Sequence, residues 1–154
     1  MTGPGVNWRP ATASDAPFLH ELHHANRPDL QALPPEVREP LLALQYQARE
    51  REYLRQYPHA QREMICRGER AVGAFLTAGR SGHLLLIDLA VHPQAQGRGL
   101  GTLTLKWLQT RARAEGHPLV LRVMRDNPAV RLYAREGFRV WGEEGLRLQM
   151  GWAP

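Results

Sequence analysis

The stretch that decides the fold runs Leu84-Leu85-Leu86-Ile87-Asp88-Leu89-Ala90-Val91-His92-Pro93-Gln94-Ala95-Gln96-Gly97-Arg98-Gly99-Leu100-Gly101-Thr102. Its first half is nearly all apolar and short, the pattern of a strand buried on both faces. His92-Pro93 ends the strand. Leu100, Leu103, Trp107 and Leu108 then recur at helical spacing, and Gly116 stops that helix. Between strand and helix lies a glycine-rich turn. Such a turn at a helix start exposes several backbone N–H groups with the positive end of the helix dipole behind them, which is a nest for an anion such as a pyrophosphate. Gly99 and Gly101 keep a Cβ out of the way, and Arg98 adds charge at the rim. The turn is neither G-x-G-x-x-G nor Gly-Lys-Ser/Thr, so neither the dinucleotide-binding nor the P-loop reading fits it.

Working outward, Val6 to Arg9 reads as a first strand. Thr12-Ala-Ser-Asp15 reads as a capping box that opens a helix through Phe18, Leu19 and Leu22. Residues 27 to 35 read as a proline-broken loop, and a second helix is expected from Pro40 to Gln56. Strands are expected at 62–67 and 71–78, joined by the hairpin turn Gly68-Glu69-Arg70. Downstream of the central helix come a buried strand at 119–123, a short helix at 129–136 ended by Gly137, and a closing strand pair at 138–141 and 146–150. The prediction is one α/β domain over residues 1–154, with a mixed sheet of about seven strands and about four helices on its faces.

At 154 residues, 43% hydrophobic and 23% charged, the chain suits one soluble globular domain. No apolar run is long enough to span a membrane, and Met1 to Pro10 carries no apolar segment of a signal peptide. The single cysteine, Cys66, excludes an internal disulfide and a multi-cysteine metal site. These features point to the cytoplasm, with no membrane partner and no metal. The net charge of +5 is scattered rather than clustered, which argues against nucleic acid. Lys106 is the only lysine among 20 cationic residues, so arginine, suited to bidentate phosphate contacts, dominates.

A second segment follows the next buried strand: Asn127-Pro128-Ala129-Val130-Arg131-Leu132-Tyr133-Ala134-Arg135-Glu136-Gly137-Phe138. Together the two segments resemble the GNAT superfamily of N-acetyltransferases. Gln96, Gly99 and Gly101 match its Gln/Arg-x-x-Gly-x-Gly/Ala signature. Asn127, Ala129, Tyr133, Gly137 and Phe138 match its second signature, and the order of elements agrees across nearly the whole chain.

The resemblance implies a GNAT fold whose fourth and fifth strands splay apart to admit acetyl-CoA. It implies cofactor contacts from Leu89, Ala90, Val91, Gln96, Gly97, Arg98, Gly99, Leu100, Gly101, Thr102, Asn127, Tyr133 and Arg135. The pantetheine arm would meet backbone groups of Leu89 and Val91, and Asn127 would lie beside it. Tyr133 would sit near the thioester sulfur, where a phenol assists thiolate departure. A primary amine would attack the thioester directly. A peptide or protein acceptor, or a non-catalytic acyl-CoA-binding role, is the alternative.

Asp88, the only ionisable group in the apolar strand, is the candidate general base; pairing with Arg122 is the competing role, and His92 is a further candidate. Gln45, Gln47 and Tyr53 are the helix residues that could line the acceptor site. Tyr133 and Asn127 also have plain structural roles open to them, as a packing residue and a helix cap. Cys66 stands apart, with no base beside it. The apolar carboxy-terminal end, with Trp141 and Trp152, offers a surface for a homodimer.

Overall fold

A computed structural model describes residues 5–154; the first four residues of the stretch expected to lack a signal peptide lie outside them. The elements are β1 (Val6–Pro10), α1 (Ala16–Ala25), α2 (Pro35–Gln56), β2 (Gln61–Arg67), β3 (Arg70–Arg80), β4 (His83–Val91), α3 (Leu100–Ala114), β5 (Leu119–Met124), α4 (Ala129–Arg135), β6 (Arg139–Glu144) and β7 (Arg147–Trp152). All seven strands join one sheet in the order β1-β2-β3-β4-β5-β7-β6. Every neighbouring pair is antiparallel except β4 and β5.

The mixed α/β expectation and its seven strands are met. Helix α2 is the clearest departure. It starts at Pro35, so Pro40 lies inside it rather than at its first turn. Pro34 accepts from the N–H groups of Val37 and Arg38, which closes the first turn before Pro40 is reached. Pro40 then withholds only one bond, early in the helix, where the damage is small.

The sheet separates two apolar clusters. The larger, on the α3 and α4 side, gathers Phe75, Leu84, Leu86, Leu100, Leu105, Leu108, Leu119 and Leu121. The smaller, under α1, holds Leu22, Met64, Cys66 and Ala74, with Ala90 against it. Strand β4 divides its residues between the two in an unusual way. Its register to β3 shifts between Leu76↔Asp88 and Thr77↔Leu86, which leaves Ile87 without a partner. This bulge reverses the alternation of faces. Before it, the even-numbered Leu84 and Leu86 face the large core; after it, the odd-numbered Leu89 and Val91 do. Asp88 is thereby turned away from the main core.

Beyond the bulge β4 also loses its other neighbour. Its parallel pairing to β5 covers only Leu84↔Leu119, Leu85↔Val120 and Leu86↔Leu121. The strand expected to be buried throughout is therefore buried only at Leu84, Leu85 and Leu86, and half-buried from Ile87 to Val91.

At the other end, Trp152 packs half-buried on the large core, with the Arg113 guanidinium 5.3 Å from its ring centroid. Val140, Trp141 and Leu146 are the exposed apolar residues there.

The entry to α1 is held by charge. Asp15 accepts from the Thr12 N–H at 2.8 Å, one of the two bonds of the expected capping box, and binds both arms of Arg9 at 2.9 and 2.8 Å. The Arg9 contact holds its carboxyl down at about 2. A carboxyl with a depressed folded-state pKa adds stability that is complete above its unfolded value of ~4 and disappears as pH falls toward 2. Because Arg9 is partly exposed and screened, Asp15→Asn should cost about 1 kcal/mol at pH 7. Denaturant titrations from pH 7 to pH 2 should show the variant and parent converging at the acid end.

Candidate active site

The opening between β4 and β5 organises the site. The His92 N–H donates to Val72 O at 2.8 Å. Hydrogen-bonded and non-bonded pairs alternate along an antiparallel ladder, so Ala90 and Asp88 spend their backbone groups on β3. Leu89 and Val91 direct theirs toward the opening. The Val91 carbonyl is already used: it accepts from Gln96 Nε2 at 2.9 Å and Asn26 Nδ2 at 3.3 Å. Gln96 also reaches Asn26 Oδ1 at 3.2 Å. The Gln96 side chain is thus a brace that ties the glycine turn to the end of β4 and to α1. The groups of Leu89 and the Val91 N–H remain directed at the gap.

The turn after β4 makes the expected nest. The first bond of α3 runs from Leu103 N–H to Gly99 O at 2.9 Å, so the N–H groups of Leu100, Gly101 and Thr102 have no acceptor inside the helix. Gly99 holds φ at +77°, and a Cβ built there would meet nothing within 4 Å; the backbone is bare on its open side. Gly101 works differently, since a Cβ there would lie 3.1 Å from Leu132 Cδ2. It lets α3 and α4 close on each other rather than clearing space for a ligand.

A groove of about 680 Å³ runs along this turn between β4 and α4. Leu89, Val91, Gln96, Gly97, Gly99, Leu100, Gly101, Thr102, Asn127, Tyr133 and Arg135 all line it. Two predicted contacts do not. Ala90 turns its side chain to the α1 side, and Arg98 lines a separate cavity with Phe18 and His92. The cation at the groove is Arg135, on the last turn of α4. Asn26 and Pro28 also line it, and nothing in the sequence signalled that the end of α1 comes so near β4.

A second cavity, of about 330 Å³, opens on the other side of the gap. Asp88, Arg122, Met124, Arg147 and the α2 end residues Tyr53, Gln56 and Tyr57 contribute to it. Of the α2 residues expected here only Tyr53 lines it. Gln45 is held by Arg27, and Gln47 is exposed on the helix surface. Leu89, Asn127 and Tyr133 line both the groove and this cavity, so the two meet at these three residues.

Tyr133 is placed by its own motif. Gly137, at φ +91°, turns the chain back so that Phe138 N–H donates to Tyr133 O and the two rings pack edge to face at 5.8 Å. Burial, and then the charge of Asp88, push its phenol up to about 12. Tyr53 is pushed to about 12 by the same two causes. Both are hydrogen-bond donors at neutral pH. Asn127 Oδ1 accepts from Ala129 N–H at 2.9 Å, capping α4.

Among the described residues Asp88 has no ion pair or hydrogen bond from a side chain, and the Arg122 pairing is not formed. His92 is turned from the gap: its Nδ1 accepts from Gln94 N–H at 3.2 Å. Cys66 is buried in the small core, which pushes its thiol up.

Behind Asp88, a cavity of about 90 Å³ lies against α1 and α2. His23 Nε2, Arg49 Nε and Glu50 Oε1 line its walls, buried and without partners among protein atoms. That volume has room for water. Burial, then the charge of Arg49, pull His23 down to about 4, so it is neutral near pH 7. Among the described residues no group of three or more His, Cys, Asp or Glu is arranged to hold a metal, and no helix is long and apolar enough to cross a membrane.

The geometry therefore offers a polyanion nest, a deep gap, a protonated phenol and an open carboxylate, meeting at one point. The profile of the acetyltransferase (GNAT) family matches residues 19–138. The chain belongs to that family. No curated protein matches the sequence. Solved structures of similar fold include the PaiA N-acetyltransferase from Thermoplasma acidophilum in complex with coenzyme A, with TM-score 0.72, 16% identity, and coverage of 97% of this chain and 99% of that one. An acetyltransferase from Thermus thermophilus has TM-score 0.70, 24% identity, and coverage of 98% and 97%. A GNAT family acetyltransferase from Elizabethkingia anophelis with acetyl-CoA bound has TM-score 0.68, 15% identity, and coverage of 99% and 100%. At these identities the likeness establishes the GNAT fold, and the family rests on the profile.

In this acetyltransferase, Asp88→Asn should lower the titration of both Tyr133 and Tyr53. Because burial is the larger cause, both should stay above the ordinary ~10. Tyrosine Cζ chemical shifts followed with pH measure this directly. Unmoved shifts would show that Asp88 does not act on the phenols.

Proposed function

We propose that this acetyltransferase moves an acetyl group from acetyl-CoA to a primary amine by direct attack on the thioester, as a single cytoplasmic domain. The observation that carries the reading is the shared wall: Tyr133, with Leu89 and Asn127, lines both the groove with the nest and the smaller cavity. The complexes of the Thermoplasma and Elizabethkingia proteins with coenzyme A and acetyl-CoA support the choice of cofactor. The pyrophosphate would rest on the N–H groups from Gly97 to Thr102, with Arg135 at the rim. Pantetheine would run past Asn127 to the open backbone groups of Leu89 and Val91.

The chemistry then follows from the groups at the junction. The amine nitrogen forms a bond to the thioester carbon, and the carbonyl oxygen takes up negative charge. The Leu89 N–H, directed at the gap, would donate to that oxyanion. The C–S bond breaks and the sulfur leaves as thiolate. A thiol of pKa ~8.5 is much more acidic than a phenol held near 12, so Tyr133 stabilises the thiolate by donating a hydrogen bond rather than by surrendering its proton. The proton lost from nitrogen goes to Asp88, directly or through water. The cavity of about 330 Å³ suits a small amine better than a folded protein surface.

Two variants test this. Gly99→Val forces a β-branched residue into a left-handed backbone and puts a side chain over the nest. Acetyl-CoA binding by calorimetry should be lost while the circular dichroism spectrum is kept; unchanged affinity would reject the site. Tyr133→Phe should leave acetyl-CoA affinity near that of the parent and slow single-turnover acetyl transfer roughly 10²-fold, the low end of what losing one preorganised hydrogen-bond donor costs. A variant as fast as the parent would make Tyr133 a packing residue only.

A further inference from the structure

The acceptor cavity has an asymmetric charge pattern that narrows the substrate class, and reading it rests on the acetyl transfer proposed above. Asp88 is the only acidic residue lining it, on the β4 side next to Tyr133. Across the gap stand Arg122 of β5 and Arg147 of β7. The strand register places them as diagonal neighbours on one face, since Arg122 pairs with Gln149 and Met124 with Arg147. Some cations of the fold are engaged, Arg125 with Glu143, Arg111 with Glu63 and Arg62 with Glu50, while among the described residues Arg67, Arg70 and Arg139 on other strands are unpaired as well. Among the described residues neither Arg122 nor Arg147 has an ion pair or a side-chain hydrogen bond. Glu144, opposite Arg147 in the β6–β7 register, forms no ion pair with it. Both arginines are exposed, and they also line a neighbouring cavity of about 190 Å³ with Glu143 and Glu144, so the case rests on the side they turn toward Asp88 in the cavity of about 330 Å³.

We propose that the acceptor is a small amine that also carries an oxyanion, a carboxylate or a phosphate, with its amine toward Asp88 and Tyr133 and its oxyanion held by Arg122 and Arg147. The charge balance supports this over a simple or polycationic amine. With one carboxylate and two guanidinium groups, the cavity is already net positive. A bare ammonium adds to that excess, and a polyamine adds more. A molecule with one ammonium and one carboxylate adds nothing, and its oxyanion meets planar donors of matching geometry. Arg122 and Arg147 are then binding and orienting residues, and the reacting atoms remain at Tyr133.

The test compares matched acceptor pairs with the full chain and acetyl-CoA: L-amino acids against their amides, and O-phosphoethanolamine against ethanolamine, with spermidine as the polycation. At least one oxyanion-bearing member should exceed its neutral partner roughly 10- to 100-fold in kcat/KM, the worth of a charge-assisted contact. The pair that shows the ratio tells carboxylate from phosphate. Arg122→Gln and Arg147→Gln should each shrink that ratio through KM, and the double variant should bring it near unity. Acetyl-CoA affinity, measured in parallel, separates the two levels of argument. If acetyl-CoA binds and neutral amines or spermidine are acetylated as well as the oxyanion-bearing ones, the acceptor proposal is overturned and acetyl transfer stands. If acetyl-CoA does not bind, both are overturned.

Discussion

One unpaired residue governs the architecture of the site. Ile87 has no partner on β3, and at the same level β4 parts from β5 after Leu86 and Leu121. A strand that leaves its neighbour exposes backbone groups that must be satisfied some other way. Here part of that demand is met internally, since Gln96 and Asn26 both donate to the Val91 carbonyl. The remainder, at Leu89 and on the Val91 N–H, is what a ligand can use. The opening survives because its closed end is firm. Leu84, Leu86, Leu119 and Leu121 pack with Leu105 and Leu108 of α3 in the main core, so the strands are pinned where they pair and free where they do not.

The electrostatics of the junction depend on the same bulge. Were β4 regularly paired through Ile87, Asp88 would share a face with Leu84 and Leu86 and bury its carboxylate among leucines, a costly arrangement without a partner. With the bulge, Asp88 stands at the wall common to the cavity of about 330 Å³ and the small polar cavity behind it. Its charge there raises the phenols of Tyr133 and Tyr53, adding to the larger effect of burial. Both phenols are kept in the donor form at neutral pH and well past the ordinary thiol pKa of ~8.5. A buried tyrosine near an anion is thus a better hydrogen-bond donor to sulfur than a source of protons.

Much of this is legible in the sequence, and the limits are instructive. The glycine turn and the Tyr-x-x-x-Gly-Phe segment can be read because local backbone requirements fix them: Gly99 and Gly137 each hold a left-handed conformation. The nest, the phenol and the groove follow. What escapes is long-range. The near-continuous apolar run of β4 hides its bulge, because alternation cannot be seen where both faces are apolar. Asp88 is the one visible trace of it. The family resemblance puts Ala90 and Arg98 at the groove, and the strand's alternation and the turn's path send them elsewhere. The end of α1, with Asn26 and His23, meets β4 across more than sixty residues of chain, and no local pattern reports such a contact. Pro40 suits a helix start by its usual preference, which the complete turn built on Pro34 overrides.

The bulge also separates the groups of the proposed cofactor side from those of the proposed acceptor side. Past Ile87, Leu89 and Val91 present side chains to the large core and backbone groups to the gap, so their contribution to a ligand is independent of side-chain identity. Asp88 and Ala90 do the reverse: their backbone groups are committed to β3, and their side chains face the α1 and α2 side. Opposite them, β5 and β7 supply Arg122 and Arg147 from the exposed face of a ladder whose other face carries Leu121, Val123, Leu148 and Met150 in the core. Substitutions at 88, 122 or 147 would therefore change the proposed acceptor side without disturbing the main-chain groups that would hold a cofactor. A substitution that restored regular pairing at Ile87 would disturb both sides, because it would rotate every later residue of β4 by one face.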